Sequence, residues 1–430
     1  MKRYIEPDRS LWPFLTARVS RDDAALEKRV TEILSAVRAE GDAGLREVVR
    51  SIDGWVPDSS QVSGAEFDEA EKAVPAALQA QIRQAYARIR TFHERQRPQE
   101  VVWDDGAGIV CRRKYLPVGR AGLYVPGGSA PLFSTVLMLA IPAAVVDCPD
   151  CVLATPPDRE GRIAPAILFA ARLCGIRTVF KLGGAQAVAA MAFGTESVPK
   201  CDKIFGPGNR YVLKAKQLVN REGVAIDMPA GPSEVMVVAE GSAVPSFVAA
   251  DLLSQAEHGP DSQVMLVCAD AAMADAVEAE VGRQKALLPR AGIVDAALAE
   301  SRIVVFADPA ERLAFANAYA PEHLILATDD PVSDAEKVTA AGSVFIGNYA
   351  PESAGDYASG TNHTLPTLGL ATAWSGLGVD RFLHAVTYQQ ITREGLAQIA
   401  GTVIGMARAE GLDAHAEAVR IRLEDAYGKI

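Results

Sequence analysis

The spacing of apolar residues changes along this chain, and the changes divide it into regions. Between residues 22 and 97 apolar positions recur every three or four residues, which predicts an amphipathic helical region. Beyond residue 124, short apolar runs rich in β-branched residues alternate with longer helical stretches, as parallel strands covered by helices do. From residue 377 to 430 the spacing is helical throughout. The pattern predicts an α/β protein with a helical N-terminal region and a C-terminal helical arm.

Two series of strands and helices follow one another in the middle of the chain. The predicted strands of the first series are 151–155, 178–182 and 203–205, and those of the second are 235–238, 264–267, 303–306, 324–327 and 344–346. We therefore expect two Rossmann-like (incomplete) parallel-sheet domains. The helical region is expected to pack on the second series. The predicted division is an N-terminal arm at 1–21, a discontinuous α/β domain 1 at 22–123 plus 236–373, an α/β domain 2 at 124–235, and a C-terminal arm at 374–430 suited to dimerisation.

The composition indicates which kinds of molecule the protein binds. The 430 residues carry a formal charge of −11 without a basic cluster, which argues against nucleic acid and anionic membranes. The most apolar stretch, residues 136–146, is shorter than the ~20 residues of a membrane-spanning helix. The first residues lack the apolar core of a secretory signal, and six scattered cysteines suit a reducing compartment. Cys148 and Cys151 have metal or redox spacing, but no second such pair accompanies them. We expect a cytoplasmic protein that binds small molecules.

A predicted helix that ends at Gly259 carries a first set of candidate metal ligands. Asp251, Gln255 and His258 are spaced by four and three residues and share one helix face. Gln255 and His258 can therefore reach one metal ion, and Asp251 can orient His258. The alternative is that these polar side chains only solvate an exposed helix end.

Further donors lie later in the chain. Asp356 and His363 fall in a Gly- and Ser-rich segment just beyond a predicted strand, where open α/β sheets collect ligands. His415 adds an imidazole from the C-terminal region. Nitrogen and oxygen donors without thiolates suit zinc, manganese or another borderline divalent ion, and zinc is the first choice.

Two other features carry candidate chemistry. Glu322 and His323 stand together at a predicted chain reversal, where a carboxylate and an imidazole can serve two proton transfers; a surface ionic patch is the alternative. Three glycine turns, at 126–129, 183–186 and 206–209, follow probable strands and can bring backbone amides to a cofactor's phosphates. None is a GxGxxG fingerprint. The side chains best placed to assist are Tyr124, Gln186 and Asn209.

Several of these segments together resemble the histidinol dehydrogenase family, over residues 22 to 423. They are Tyr-Val-Pro-Gly-Gly-Ser-Ala-Pro-Leu-Phe from 124, Lys-Ile-Phe-Gly-Pro-Gly-Asn from 203, Asp-Met-Pro-Ala-Gly-Pro-Ser-Glu from 227, Leu-Ser-Gln-Ala-Glu-His-Gly-Pro-Asp-Ser from 253, Ala-Pro-Glu-His-Leu from 320 and Gly-Asp-Tyr-Ala-Ser-Gly-Thr-Asn-His from 355. The combination is far more specific than any one motif.

The resemblance implies a zinc-dependent oxidoreductase of histidine biosynthesis. It would oxidise L-histidinol to L-histidine through histidinal, with two NAD and one Zn²⁺ per subunit. In the family Glu322 and His323 would be the acid/base pair, with His323 also touching the substrate. The resemblance places zinc at Gln255, His258, Asp356 and His415, and these four residues would also contact the substrate. Further substrate contacts would come from Ser233, His363 and Glu410. NAD would bind in the 124–235 domain, at Tyr124, Gln186 and Asn209.

The resemblance also implies a homodimer in which the C-terminal arm completes the partner's site, so Glu410 and His415 would act in trans. Two alternatives stay open. A paralogue with the same machinery could oxidise another alcohol such as a sulfopropanediol, although Glu410 suits a cationic group better than a sulfonate. A catalytically silent metal-binding protein could retain the fold, but the intact Glu322 and His323 pair disfavours it.

Overall fold

The protein's structure, a computed structural model, describes residues 1–18, 24–54, 59–127, 131–229 and 231–424. The first elements are β1 (Lys2–Ile5), α1 (Trp12–Leu15), α2 (Ala24–Glu40), α3 (Asp42–Asp53), α4 (Gly64–Ala73) and α5 (Ala76–Glu94). Next come β2 (Val101–Asp104), β3 (Ile109–Pro117), β4 (Arg120–Tyr124), α6 (Phe133–Val145), β5 (Asp150–Thr155), α7 (Pro165–Leu173), β6 (Thr178–Lys181), α8 (Gly184–Phe193), β7 (Lys203–Phe205), α9 (Arg210–Arg221) and β8 (Ala225–Ile226).

The second α/β series and the C-terminal region complete the chain. The second series comprises β9 (Glu234–Ala239), α10 (Pro245–Ala256), β10 (Gln263–Cys268), α11 (Ala271–Lys285), α12 (Ala291–Ala299), β11 (Arg302–Val305), α13 (Pro309–Tyr319), β12 (His323–Ala327), α14 (Pro331–Ala335), β13 (Ser343–Ile346) and α15 (Glu352–Tyr357). The C-terminal region holds β14 (Leu383–Ile391), α16 (Arg393–Ala409) and α17 (Asp413–Leu423).

Two parallel sheets confirm the predicted α/β class. One has the strand order β6-β5-β4-β7-β8 and the other β1-β11-β10-β9-β12-β13. All six residues of β9 and all six of β10 are buried, because helices cover both faces of the six-stranded sheet. Such strands read as continuous apolar runs, which is how they were predicted from the sequence. In the part of the chain that is described, no helix is long and apolar enough to cross a membrane.

The helical N-terminal region packs differently from the prediction. Helices α2 and α3 share a core with α8 and α9 of the first series, and α5 packs on α6. In contrast, β1 and α1 join the second series, where β1 pairs with β11. The expectation that the helical region packs on the second series was wrong, because an apolar stripe shows which face is buried but not which surface covers it. The boundaries predicted at 124, 236 and 374 stay a prediction.

Contacts divide the chain into two compact units. The larger comprises residues 1–96 and 118–382 and contains both parallel sheets; the smaller comprises 97–117 and 383–430. Within the smaller unit β14, β3 and β2 form an antiparallel sheet, and α16 packs on α17. The prediction that residues 377–430 are helical throughout was wrong at β14. Its residues do not alternate between buried and exposed, and its partner strand β3 lies about 270 residues earlier, beyond the reach of a local pattern.

Candidate active site

A cavity of about 540 Å³ opens in the larger unit between residues of the two parallel sheets. The five-stranded sheet contributes the turn from Gly206 to Asn209, which follows the carboxyl end of β7. The six-stranded sheet contributes Ser233, just before β9, and Glu322 and His323 at the start of β12. A concave site of this size, with a few convergent polar groups, suits a small-molecule ligand.

The two sheets present opposite edges to the cavity. Ligands of open parallel sheets usually lie at the carboxyl ends of the strands, and the turn after β7 follows that rule. His258 and Ser233, in contrast, stand before β10 and β9, and His323 is the first residue of β12. The six-stranded sheet therefore offers its amino edge. From the sequence, Asp356 and His363 were expected just beyond the end of a strand, which would be a carboxyl edge.

One residue of β9 holds both members of the predicted acid/base pair. The backbone N–H of Glu234 donates to Oε2 of Glu322 over 2.8 Å. The backbone carbonyl of Glu234 lies 3.1 Å from Nδ1 of His323. A carbonyl oxygen can only accept, so this contact places the imidazole proton on Nδ1. Nε2 of His323 is left with a free lone pair, and it has no hydrogen-bond partner among the described residues.

Burial sets the protonation states of this pair. Glu322 is 6% exposed and His323 4%. Burial lowers the pKa of His323 to about 3, so the imidazole is neutral near pH 7. Burial also raises the pKa of Glu322 well above its usual range, and the nearby carboxylates of Glu234 and Asp356 act in the same direction. The pair thus combines a neutral imidazole with a carboxyl group that holds its proton tightly.

A cluster of oxygen and nitrogen donors adjoins the pair. Ligand atoms of His258, Glu352 and Asp356 all lie within 4.8 Å of one another. Gln255 lies one helical turn before His258 and is fully buried, yet neither atom of its side-chain amide has a hydrogen-bond partner in the described part of the chain. Unpaired buried amides are costly, so a ligand is expected there. The donor set fits a borderline divalent ion such as zinc.

Glu352 was missed in the sequence analysis. Its side chain is 1% exposed, and Oε2 has no hydrogen-bond partner among the residues described. Burial and the carboxylates of Asp356, Glu322 and Asp251 raise its pKa well above the usual range. A signal was present, because Glu352 and Asp356 are four residues apart on α15 and face the same way. No helix was predicted there from the sequence, which hid that spacing.

Asp251 and His363 have other contacts than those first considered. The carboxyl group of Asp251 interacts with the backbone of Glu352, and burial raises its pKa to about 7. It thus supports α15, which carries two of the clustered carboxylates. Nδ1 of His363 lies 3.1 Å from the backbone carbonyl of Asp356, and Nε2 lies 3.4 Å from Oγ1 of Thr135 on α6. Burial lowers the pKa of His363 to about 4.

The turn at 206–209, predicted as a cofactor turn, is fixed by a buried ion pair. Nζ of Lys216 contacts a carboxylate oxygen of Asp227 and donates to the carbonyl of Gly206 over 2.8 Å. The other oxygen of Asp227 accepts from the N–H of Gly206 over 2.7 Å. Gly206 has a φ of +120°, and a Cβ there would collide with the carbonyl oxygen of Tyr124. Only glycine suits this position.

The three predicted NAD residues occupy different environments. The side-chain oxygen of Asn209 caps α9 by accepting from the N–H groups of Tyr211 and Val212, and the residue lines the cavity. The hydroxyl oxygen of Tyr124 accepts from the N–H of Gly184 over 3.1 Å, at the start of α8. Gln186, on the first turn of that helix, is 3% exposed.

The structure gathers seven of the predicted residues around one cavity. They are Asn209, Ser233, His258, Glu322, His323, Asp356 and His363. Glu410, which follows α16, and His415 on α17 belong to the smaller unit. Part of the predicted turn at 126–129, namely Gly128 and Ser129, and Ala230 of the segment from 227 lie outside the described residues. All six cysteines, including Cys148 and Cys151, are free thiols.

Comparison with known proteins gives one consistent result. The family model described as histidinol dehydrogenase matches residues 16–423. Histidinol dehydrogenase of Bacteroides fragilis (strain YCH46) is 52% identical over 425 residues, 99% of each chain. The enzyme of that name from Xanthomonas axonopodis pv. citri (strain 306) is 52% identical over 410 residues, 95% of each chain. The crystal structure of histidinol dehydrogenase from Elizabethkingia anophelis has a TM-score of 0.96 at 46% identity, covering 99% of this chain and 98% of that one.

Proposed function

The chain belongs to the histidinol dehydrogenase family, and on that premise we propose that it oxidises L-histidinol to L-histidine through histidinal, reducing two NAD. Such proteins are NAD-dependent oxidoreductases acting on a CH–OH group. The observation that carries the proposal is the placement of His323. It is a neutral imidazole whose free Nε2 lies at a cavity and whose proton is fixed on the opposite nitrogen.

The first step needs a base for the hydroxyl proton of the substrate. Nε2 of His323 accepts that proton as the C–H hydride leaves, which converts the alcohol to the aldehyde. NAD, when bound, supplies the hydride acceptor in both steps. The contact of Nδ1 with the carbonyl of Glu234 holds the ring while its charge changes.

The second step needs a base for water. Glu322, 3.6 Å from Nδ1 of His323, takes the proton of a water molecule that adds to the aldehyde carbon, and a second hydride then leaves to give the carboxylic acid. Because the pKa of Glu322 is raised, this residue has to lose its proton before it can act. The two oxidations therefore depend on different members of the same buried pair.

We propose that zinc occupies the donor cluster. Gln255, His258 and Asp356 would hold it together with His415, and Glu352 adds a buried carboxylate beside them. A bound divalent ion would supply a Lewis-acidic anchor for the imidazole and amine nitrogens of histidinol. Support comes from the unpaired amide of Gln255 and from the absence of thiolate donors in the His258 cluster, among the residues described.

Other contacts complete the proposed site. Ser233 and His363 would bind substrate from the cavity wall, with Glu410 contributing a carboxylate for a cationic group. Tyr124, Gln186 and Asn209 would bind NAD. We further propose a cytoplasmic homodimer in which Glu410 and His415 reach the site of the partner subunit. Direct support for this arrangement is the family membership.

Counting NADH tests the proposal. Purified protein is given limiting L-histidinol and excess NAD, and the NADH absorbance is followed to completion. Two NADH per histidinol are expected, with activity lost on chelation and regained with zinc. No NADH from histidinol would refute the proposed substrate, and NADH from a sulfonated diol instead would assign the same machinery to another alcohol. Zinc binding without any NADH would identify a catalytically silent protein.

A further inference from the structure

The guanidinium group of Arg18, in the N-terminal segment, contacts the buried side chain of Glu234 next to the site. Nε of Arg18 donates to Oε1 of Glu234 over 3.0 Å, and one terminal nitrogen donates to Oε2 over 2.9 Å. The Arg18 side chain is 12% exposed and that of Glu234 is 2% exposed. This two-pronged geometry fixes the carboxylate in both distance and orientation. The N–H of Leu368 also donates to Oε1 of Glu234 over 2.9 Å.

Glu234 is the residue whose backbone holds the acid/base pair. Its N–H bonds to Glu322 and its carbonyl to His323, so any shift of this residue moves both contacts together. Glu234 is the first residue of β9, where the strand emerges from the loop that contains Ser233. The strand pairing of the sheet restrains the backbone of Glu234 on one side only. Its buried side chain supplies a further restraint, because Arg18 and the N–H of Leu368 both hold the carboxylate.

Arg18 also contacts the chain just before the pair. It donates to the carbonyl oxygen of Tyr319 over 2.6 Å, and its guanidinium lies 3.5 Å from the centre of the Tyr319 ring. Tyr319 is fully buried, and its hydroxyl donates to Gln263 on β10 over 2.8 Å. Ala320, the next residue, has a φ of +49° and ends α13 in a left-handed conformation. Two residues later comes Glu322.

We propose that Arg18 is a positioning residue for the acid/base pair, acting through Glu234 and through the end of α13. The guanidinium joins two segments, the start of β9 and the end of α13, that hold or precede Glu322 and His323. Loss of the Arg18 guanidinium would leave the buried carboxylate of Glu234, beside the acid/base pair, without its cationic partner. The two segments could then shift relative to each other. A misplacement of about 1 Å at reacting groups lowers a rate by as much as about 100-fold.

The inference rests on the proposed function for its kinetic test but not for its spectroscopic one. We expect Arg18→Gln to lower kcat for L-histidinol by about 10- to 100-fold while the KM for NAD changes little, because the cofactor turn lies on the other sheet. Arg18→Lys, which keeps the charge without the fork, should recover part of the loss. In ¹⁵N NMR of the imidazole, His323 should change from one tautomer in the wild type to a mixture in Arg18→Gln. The signal is assigned with His323→Gln.

The chain offers a matched control in Arg312. This residue is 3% exposed, lies on α13, and pairs with the buried carboxylate of Glu240. Arg312→Gln should cost folding stability in the same way yet leave kcat and the His323 tautomer unchanged.

Each outcome is informative. Equal kcat and an unchanged tautomer in Arg18→Gln and Arg312→Gln would overturn the positioning role, and Arg18→Lys answers the same question if Arg18→Gln does not fold. An inactive wild type with an altered tautomer in the Arg18 variants would refute the proposed function and keep the positioning role. Because the proposal gives Arg18 two routes, through Glu234 and through the end of α13, the double variant Arg18→Gln/Glu234→Gln should be slower than Glu234→Gln alone. A double variant that is no slower than Glu234→Gln would overturn the route through α13.

Discussion

Single residues at the site owe their protonation states to one physical cause. Burial penalises whichever form is charged, so it keeps His323 neutral and keeps protons on Glu322 and Glu352. The pKa of Asp356 rises to about 6 for the same reason. The ligand-free site therefore carries far less charge than its residue types suggest. A cation that binds there would favour the ionised carboxylates and so displace these protons.

The first prediction separates the two oxidation steps. Glu322→Gln keeps an oxygen that can accept from the N–H of Glu234, so the local structure should survive. Because glutamine cannot take a proton from water, aldehyde oxidation should fall by about 100-fold or more, and alcohol oxidation by much less. The measurement compares NADH formation from L-histidinol and from histidinal. Equal losses in both steps would count against the assignment of Glu322 to water activation.

The second prediction concerns pH and stability. The pKa of Asp251 is raised from 3.8 to about 7, so the folded state keeps a proton that the unfolded state loses. The stabilisation from this group is therefore present below about pH 4 and is lost as pH rises toward about 7. Asp251→Asn removes that dependence. It should be more stable than the wild type at about pH 8 by on the order of 1 to 3 kcal/mol, and similar at about pH 4.

Urea unfolding of metal-free protein at the two pH values measures this effect. Asp295→Asn, which changes an exposed carboxylate on α12, is the control and should give no such difference. The contrary result would be a free energy of unfolding that changes with pH in the same way in the wild type and in Asp251→Asn. It would show that the carboxyl group of Asp251 is ionised in the folded state without cost.

Residue types predicted part of the site. His258, Glu322, His323 and Asp356 were selected from short motifs and Ser233 from the family resemblance, and all five line one cavity. Glu234, Glu352 and Arg18 were not selected. Their roles come from contacts between distant segments, and a carboxylate or guanidinium has the same appearance in a sequence whether it is buried beside a site or solvated on a surface.

Elements were predicted well where burial was uniform. The strand predicted at 264–267 is observed at Gln263–Cys268, and the strand predicted at 203–205 is observed at Lys203–Phe205. Both have a periodicity that one stretch of chain expresses by itself. Strand β14 and the packing of α2 depend on partners elsewhere in the chain, which is why the sequence pattern did not reveal them.

The turn after β7 gives a prediction at the scale of elements. Gly206→Ala would force a side chain into a left-handed backbone and against the carbonyl of Tyr124. Strain of this kind costs about 1 to 3 kcal/mol, so NAD binding should weaken by about tenfold or more if the turn shifts to relieve it. Calorimetric titration with NAD measures the change.

Gly282→Ala is the matched glycine control. Gly282 lies within α11, and a Cβ there would have no atom within 4 Å. The substitution should raise folding stability by about 0.5 to 1 kcal/mol and leave NAD affinity unchanged. Undiminished NAD affinity in Gly206→Ala would exclude the turn from the cofactor site.

At the scale of the whole molecule, the α/β class with two parallel sheets was predicted and is confirmed. The sequence did not predict which edge of each sheet faces the cavity. Strand patterns give the direction of each chain segment within its own sheet, but the site depends on how the two sheets in the larger unit face each other. That arrangement arises from core packing across hundreds of residues.

Mixing two inactive variants tests the proposed sharing of sites between subunits. If His415 acts in trans, a heterodimer of His258→Ala and His415→Ala subunits has one fully intact site. After unfolding and refolding of an equal mixture, about one quarter of wild-type activity should return, since about half of the dimers are mixed. If His415 acts in cis, every site carries one defect. No recovery, with dimers reformed, would therefore contradict the exchange of arms.

The position of the acid/base pair on β12 also bears on hydrogen exchange. The carbonyl of Glu322 accepts from the N–H of Ser343 over 2.9 Å, and His323 lies in register with Val235 on one side and Ser343 on the other. Amides in the middle of a sheet exchange with deuterium only when the sheet itself opens. The two residues proposed to move protons are thus anchored in a strand whose amides we expect to exchange slowly, so deuterium uptake there should report global unfolding rather than the arrival of a ligand.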